Sequence, residues 1–369
     1  MTSTSNIQKI QIKLNELIKF IEPHRQVLNE HIVNIFTEDL WRKNIPLNIQ
    51  KELGDVYSLE DFAELYPKTL NIDCPELLDK YPNAYNFLKS NFNTSIKNDP
   101  AFITSFKALQ DFFIKKGCDT KTKVLLKGFG TDKKLHEVEM TGQMVSLLTN
   151  FTKSSHVLDI GGGKGYLSSL LALAYDYKVL GVDCSEITTK GAIKRSEKLV
   201  KHWKSVVVPD SYDENDNVEK KKINEEYLKK QYKQTVAYVT PGMDLSDLVE
   251  QNFNDSCTGL TLSGLHTCGD LGPTSLKMFV NNKVAKAIVN VGCCYHLSKE
   301  QFLTHQFWNG VDLPFDEDEF GFPMSKFLKD KEFYLGDNLK KVTSYSPERL
   351  GDFYYDEVSC CVIFLIFFF

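Results

Sequence analysis

The sequence predicts an α/β protein with a doubly wound parallel sheet, preceded by an all-α N-terminal region. Three observations indicate this. The stretch from His156 to Asp183 combines an apolar strand, a glycine-rich turn, a helix and a second strand. Two later segments, Thr258 to Leu265 and Ala285 to Val291, are apolar strands that end in polar clusters. Residues 1–130, in contrast, carry apolar side chains at helical spacing, interrupted by prolines.

Length and composition describe an ordinary globular protein. A chain of 369 residues with 42% hydrophobic residues can form about two domains. We predict a helical region over 1–130 and an α/β domain over 131–369, with a charged insertion at 209–232. The net charge of -5 excludes a protein coated with basic residues, so a nucleic acid would have to meet a local patch. Nine cysteines and a polar N-terminus predict free thiols in the cytoplasm or nucleus.

The N-terminal region begins with two amphipathic helices between Ile7 and Phe36, separated at Pro23. Its role stays open between a helical cap for the α/β domain and recognition of a substrate. A strip from Lys115 to Lys134 follows, with seven lysines against two aspartates. It is either a solvated linker or a contact surface for nucleic-acid phosphates.

A helix is predicted from Asp132 to Leu148, with Thr131 suited to cap its first turn. Since it leads directly into the first strand, its first turns can lie near a ligand bound there. Its candidate residues are Lys133 and His136 for substrate contact and Lys134 for catalysis.

The glycine-rich turn favours a particular kind of ligand. Gly161, Gly163 and Gly165 permit a tight turn and close approach of a ligand, but Tyr166 stands where a dinucleotide fingerprint needs its third glycine. The pattern that begins at Asp159 instead resembles the first motif of class I S-adenosylmethionine (SAM) methyltransferases. That resemblance implies that the loop holds the methionine part of SAM near Asp159. The alternative is a glycine-rich turn in another kind of α/β protein.

Two further acidic residues follow strands. The resemblance implies that Asp183, at the end of the second strand, takes the ribose hydroxyls of SAM. Thr235 to Thr240 is a predicted third strand, and Asp244 follows it. Related enzymes often place an acid there toward the adenine amino group, although a helix N-cap explains Asp244 equally well.

Two polar clusters end the fourth and fifth strands. His266 and Cys268 follow the fourth strand, and Cys293, Cys294 and Tyr295 follow the fifth. Ligands of open α/β sheets bind at the carboxyl ends of the strands. Both clusters should therefore line the cofactor cleft, the first as catalytic residues and the second as substrate contacts.

Taken together, the motifs DIGGGKGYLS, GLHTCGDL, VGCCYHLS and FGFPMS, with TDKKLHEV and DLW before them, resemble one known family. It is the methyltransferase-like protein twenty-five family, with a sister group named for a ribosomal-RNA adenine dimethylase domain. The paired His-x-Cys-Gly and Cys-Cys motifs are also similar to a tRNA 2'-O-methyltransferase family. The resemblance spans most of residues 30–330 and implies a Rossmann-like class I methyltransferase fold with SAM as cofactor. The Asn/Asp-Pro-Pro-aromatic motif of amino-group methyltransferases is replaced here by His266 to Gly269, which does not support the adenine dimethylase label.

The residues of the polar clusters allow several chemistries. His266 is the best candidate for a base, or else a histidine that bonds a neighbouring loop. Cys268 is a candidate thiolate nucleophile. A zinc site from the clustered cysteines with His266 and His296 is a further possibility, but the spacing is not that of common structural sites, so we predict no obligate metal. Buried, inert cysteines are the remaining interpretation. The segment Phe320 to Ser325 is either a stacking platform for a base or a packed loop.

The apolar tail, Cys360 to Phe369, is too short to cross a membrane. It is either an edge strand or an abnormal end that leaves the sheet without its antiparallel edge strands. Our main prediction is a SAM-dependent methyltransferase acting on a ribose or base of RNA. The alternatives are a protein methyltransferase, favoured by the acidic balance, and a non-catalytic SAM-fold binding protein or inactive truncated product.

Overall fold

The computed structural model describes residues 3–30, 33–54, 75–94, 96, 99, 101–118, 124–126, 130–209, 223–303, 319–344 and 365–368. The chain divides into two compact units. The first comprises Met1–Ser105, Phe302–Asn309 and Ser325–Val358. The second comprises Phe106–Gln301, Gly310–Met324 and Ser359–Phe369. Much of the lysine strip and of the charged insertion, at 119–123, 127–129 and 210–222, lies outside the described residues.

The described secondary-structure elements in the N-terminal part of the first unit are all helices, as predicted. Pro23 lies in a 3₁₀ turn, Glu22–His24, that separates the first two helices. Pro75 and Pro82 each occupy the first position of a helix, where the missing N–H costs nothing. The helices are α1 (Ser3–Ile21), α2 (Arg25–Asn29), α3 (Asn34–Thr37), α4 (Leu40–Asn44), α5 (Leu47–Leu53), α6 (Pro75–Lys80) and α7 (Pro82–Thr94).

The second unit alternates helices and strands. Within the described residues none of the helices of either unit is long and apolar enough to cross a bilayer. The elements are α8 (Phe106–Lys115), β1 (Val124–Leu126), α9 (Asp132–Thr152), β2 (His156–Ile160), α10 (Tyr166–Leu173), β3 (Lys178–Asp183), α11 (Glu186–Val206), β4 (Val207–Pro209), α12 (Glu225–Gln231), β5 (Tyr232–Val236), α13 (Leu245–Phe253), β6 (Leu260–Leu265), α14 (Leu271–Asn281), β7 (Ala285–Val291) and, near the end of the chain, β8 (Leu365–Phe368).

The C-terminal part of the first unit adds α15 (Lys326–Lys329) and α16 (Asp337–Ser344). This part is joined to α2 by polar and aromatic contacts. The guanidinium carbon of Arg25 lies 4.2 Å from the centroid of the Tyr334 ring. The side-chain amide of Asn29 donates to the Leu335 carbonyl at 2.8 Å.

The main sheet has the strand order β5-β3-β2-β6-β7-β8. The first five strands are parallel, and β8 pairs antiparallel with β7, so that Asn290 faces Leu365. The antiparallel edge that the sequence left in doubt is thus formed by the apolar tail. A separate two-stranded sheet pairs β1 with β4.

Helices cover both faces of the main sheet, which is why β2 is a nearly continuous apolar run. Val157 packs on one face, in the core that includes Leu148 of α9 and Leu170 of α10. Its neighbour Leu158 packs on the other face, with Met278 of α14. The carboxyl ends of β3, β2, β6 and β7 therefore form one open edge of the sheet.

The predicted bounds of the third strand were wrong. The third strand runs over Tyr232–Val236 instead of 235–240, since β5 pairs along β3 only up to Val236 opposite Asp183, where β3 ends. Residues 237–240 pair with no strand among the described residues, and Tyr238 is 80% exposed. The helix after Asp183, α11, ends at Val206, and Val207–Pro209 form β4.

Candidate functional site

The turn after β2 has the conformation that its glycines predict. Gly161, Gly163 and Gly165 have φ angles of 69°, 51° and 70°, a region that favours glycine. At Gly165 a Cβ atom would also lie 2.6 Å from the hydroxyl oxygen of Tyr232. The amide of Gly161 donates to the Val182 carbonyl at 2.9 Å, which fixes the turn to the end of β3.

Asp159 lies beneath this turn and is only 2% exposed. Its carboxylate accepts hydrogen bonds from the hydroxyls of Ser168 and, at 3.2 Å, Ser263. Burial raises the pKa of Asp159 to about 6, although the two serine hydroxyls act in the opposite direction. The carboxylate therefore links Ser168 of α10 and Ser263 of β6 to the end of β2, on the buried side of the turn. Its predicted contact with SAM stays a prediction.

Asp183 anchors the turn from the other side. Its Oδ2 accepts from the amide of Gly163 at 3.1 Å, and its Oδ1 accepts from the Ser185 amide and the Thr188 hydroxyl, both at 2.8 Å. A carboxylate oxygen can accept two hydrogen bonds, so Oδ2 retains capacity for a hydroxyl. A Cβ atom on Gly163 would lie 4.0 Å from this oxygen, and the glycine leaves that space open. The arrangement fits a ribose diol.

Asp244 caps α13. Its Oδ1 accepts from the amides of Ser246 and Asp247 at 2.9 and 3.1 Å. The side chain is exposed, and both bonds use the same oxygen. The N-cap interpretation is thus confirmed, and the adenine contact stays a prediction.

His266 and Glu137 form a side-chain contact that the sequence did not predict. Nε2 of His266 lies 3.1 Å from Oε2 of Glu137, whose side chain is only 10% exposed. The φ angle of His266 is 67°, an uncommon conformation for a residue with a Cβ and one that clusters at functional sites. Bonds from the amides of His266 and Thr267 to the Val291 carbonyl hold it there. The one sequence signal for Glu137 is its position in the first turns of the helix before β2.

Lys134 belongs to a group of cationic side chains around Tyr166, the first residue of α10. The Nζ of Lys134 lies 3.9 Å from the ring centroid, and the guanidinium carbon of Arg195 lies 4.4 Å from it. Burial lowers the pKa of Lys134, and repulsion from Lys164 and Arg195 adds to this, whereas Glu137 opposes it. We call Lys134, Lys164, Arg195 and Tyr166 the Tyr166 cluster. The other two predicted residues of α9, Lys133 and His136, are exposed.

Three thiols meet where β6 and β7 end. Sγ of Cys293 lies 3.1 Å from Sγ of Cys268 and 3.5 Å from Sγ of Cys294. Burial raises the pKa of Cys268, and burial together with the two neighbouring thiols raises that of Cys293 further. A thiolate nucleophile requires a lowered pKa, so these surroundings do not favour one. Tyr295 follows and is exposed.

The segment Phe320 to Ser325 packs beside these loops. The amides of Gly321 and Phe322 donate to the Lys299 carbonyl, and the Gln301 amide donates to the Phe322 carbonyl at 2.9 Å. Nζ of Lys277 donates to the Phe320 carbonyl at 3.3 Å. These bonds agree with the interpretation as a packed loop.

The sequence is similar to known methyltransferases and methyltransferase-like proteins. Residues 133–301 match a family model described as a methyltransferase domain. The human protein named probable methyltransferase-like protein 25 is 22% identical over 490 aligned positions, which cover 94% of this chain and 76% of that protein. The mouse protein of the same name is 23% identical and is covered to 75%.

Among solved structures, the methyltransferase domain of a bacterial protein named CtHen1 is 15% identical with a TM-score of 0.27, over 47% of this chain and 72% of that one. A protein described as a putative O-methyltransferase from Klebsiella pneumoniae is 13% identical with a TM-score of 0.25, over 63% and 77%. TM-scores this low support no comparison of individual residues.

Proposed function

We propose that this chain, which carries a methyltransferase domain and is related over most of its length to methyltransferase-like protein 25, uses SAM to methylate RNA. One observation carries the proposal. Asp183, the glycine turn and His266 follow β3, β2 and β6, which are neighbours in the sheet. Glu137 contacts His266 from α9. Groups suited to hold SAM and a candidate proton acceptor therefore lie at the end of the sheet where α/β proteins bind ligands, which supports the proposal.

Three groups of this chain would hold SAM. Asp183 would accept hydrogen bonds from the ribose hydroxyls through Oδ2. The space that the turn glycines leave open would receive the methionine part, while the glycine amides keep their hydrogen bonds to Val182 and Asp183. Asp159 would keep the turn in place from its buried side. Asp244 would receive the adenine amino group through Oδ2, since its cap bonds use Oδ1. When bound, SAM supplies a methyl group on a positively charged sulfur.

His266 would remove the proton of the acceptor hydroxyl as the methyl group is transferred. If Nε2–H donates to Glu137, the lone pair on Nδ1 is the proton acceptor. The half-exposed imidazole can meet a substrate, and the buried carboxylate of Glu137 orients the ring and stabilises its charge after it takes the proton. Glu137 is therefore a positioning residue for His266.

The Tyr166 cluster supports RNA as the substrate class. Two cations lie within 4.4 Å of the Tyr166 ring centroid, and the pKa of Lys134 is lowered partly by repulsion from Lys164 and Arg195. A phosphate would relieve that repulsion. The exposed Lys133 on the same helix adds to the positive charge. A local patch of this kind is what an RNA ligand would need on a chain with a net charge of -5.

The test is transfer of label from methyl-labelled SAM by the purified chain. RNA and protein fractions from cells that lack this protein are supplied separately. We expect label in RNA with the wild-type chain and none with His266→Ala, although that variant still binds SAM in calorimetry. If only the protein fraction is labelled, the substrate is a protein, which is the alternative that the sequence predicted. Binding of SAM without label in either fraction would favour the non-catalytic alternative, and absence of SAM binding would overturn the proposal.

A further inference from the structure

The three thiols of Cys268, Cys293 and Cys294 are arranged as metal ligands. All three sulfur atoms lie within 4.8 Å of one another, and Cys293 lies between the other two. Four-coordinate zinc binds thiolates at about 2.3 Å, which places two sulfurs about 3.8 Å apart. The cluster therefore needs only small side-chain shifts to surround one ion.

The backbone holds the three ligands in place. Cys268 follows β6, and Cys293 and Cys294 follow β7, the neighbouring strand. The Gly269 amide donates to the Cys294 carbonyl at 3.1 Å, which connects the two loops directly. Ligands on two tied loops are preorganised, so an ion would not have to order a mobile segment when it binds.

A disulfide is the competing explanation for close thiols. A disulfide bond is about 2.05 Å long, whereas the shortest sulfur–sulfur distance here is 3.1 Å. A redox pair also needs only two cysteines, and this cluster has a third thiol 3.5 Å from the central one. Three sulfurs around one point match a thiophilic cation better than a redox pair.

We propose that Cys268, Cys293 and Cys294 bind one zinc ion, with the fourth coordination position open to water or substrate. Binding forms three Zn–S bonds and releases three thiol protons to solvent. The ion would clamp the loops that follow β6 and β7 and so fix the backbone next to His266. The inference goes beyond the proposed methyl transfer and can be tested without it.

The experiment is a titration of the metal-free full chain with Co²⁺ under anaerobic, reducing conditions. Cobalt bound to thiolates gives a sulfur-to-cobalt charge-transfer absorption. We expect this band to saturate at one equivalent and to disappear when zinc is added. In the Cys293→Ser variant, which removes the central ligand, we expect cobalt affinity to fall by more than the roughly 10- to 100-fold typical of changes in outer-shell residues.

Cys184→Ser is the matched control, because Cys184 is also an exposed free cysteine directly after a parallel strand. Its cobalt spectrum should equal that of the wild type. Cys268→Ser, at an exposed position, provides a second ligand variant if Cys293→Ser does not fold. Zinc should raise the melting temperature of the wild type and of Cys184→Ser but not of Cys268→Ser.

Two results would overturn the zinc site. One is the absence of a charge-transfer band in the reduced wild-type chain, including the case in which mass spectrometry finds Cys268 and Cys293 joined by a disulfide before reduction. The other is a band that persists unchanged in both ligand variants, which would place the metal elsewhere. Neither result depends on SAM binding or methyl transfer, so failure here is distinguishable from failure of the proposed function.

Discussion

Nε2 of His266 lies 3.1 Å from the carboxylate of Glu137, which joins the residue after β6 to the helix that precedes β2. The contact brings a titratable ring at the open edge of the sheet against a buried acid. Its role in transfer leads to the first prediction.

Loss of the His266 imidazole should lower the methyl-transfer rate by about 10² to 10⁴-fold, the usual contribution of a general base. Glu137→Gln should cause a smaller loss, since it keeps a hydrogen-bond acceptor but removes the charge. Both variants should bind SAM as the wild type does.

Single-turnover kinetics measures methyl transfer, and calorimetry measures SAM binding, so the two steps are separated. His202→Ala, an exposed histidine on α11, is the control. Equal rates for His266→Ala and the control would exclude the base role.

Asp183→Asn should weaken SAM binding strongly, because a hydrogen bond to a charged group contributes about 1.5–3 kcal/mol. That corresponds to roughly a tenfold to hundredfold rise in Kd. Asp183 also receives bonds from Gly163 and Ser185, so part of the effect would come from a looser turn. Asp244→Asn keeps the cap oxygen and should change Kd less. Calorimetric titration with SAM tests this, and an unaltered Kd for Asp183→Asn would refute the ribose contact.

Asp159 should make stability depend on pH. Burial raises its folded pKa to about 6 from an ordinary value of 3.8, so the folded protein binds the proton more tightly than the unfolded chain. The contribution of Asp159 to the free energy of unfolding is therefore greatest below about pH 4. It falls by on the order of 3 kcal/mol as the pH rises through about 6. Asp159→Asn lacks this loss. Denaturant unfolding of both proteins from pH 4 to 7 should show the variant gaining stability relative to the wild type, and parallel curves would contradict the assignment.

The Tyr166 cluster should set the salt dependence of RNA binding. Removing one phosphate-contacting cation, as in Lys134→Ala or Arg195→Ala, should weaken binding and reduce the slope against log salt by about one. Lys286→Ala, an exposed lysine within β7, serves as the control. Fluorescence anisotropy at several salt concentrations measures the slope. Identical slopes for all three variants and the wild type would remove the main support for RNA.

Gly165 should not tolerate a side chain. Gly165→Ala forces a residue with a Cβ to a φ angle of 70° and brings that atom 2.6 Å from the Tyr232 hydroxyl oxygen. We expect a loss of roughly 1–3 kcal/mol in the free energy of unfolding. Gly191→Ala, within α11 and with no atom near its Cβ position, should instead stabilise the protein by about 0.5–1 kcal/mol. Urea unfolding of the two variants compares them, and a neutral Gly165→Ala would show that the turn can rearrange.

Local patterns were sufficient for much of the α/β domain. The apolar run with its glycine turn predicted β2, β3 and the helix between them. The end of β3 at Asp183 and both bounds of β7 match the structure. Glycine spacing predicted the left-handed turn conformations. These features depend on residues that are close in the sequence, because hydrophobic periodicity and backbone sterics determine local secondary structure. The third strand was misplaced because its end depends on where its partner β3 stops.

The relationships that carry the chemistry were decided by tertiary structure. The pairing of Glu137 with His266, the packing of Arg195 and Lys134 on Tyr166, and the meeting of Cys268 with Cys293 all join residues from separate elements. The sequence predicted that Cys268 and Cys293 line one cleft, but it did not predict which residues contact His266 or Lys134. Which side chains meet depends on strand order and register, and these follow from long-range burial and pairing that no local pattern encodes.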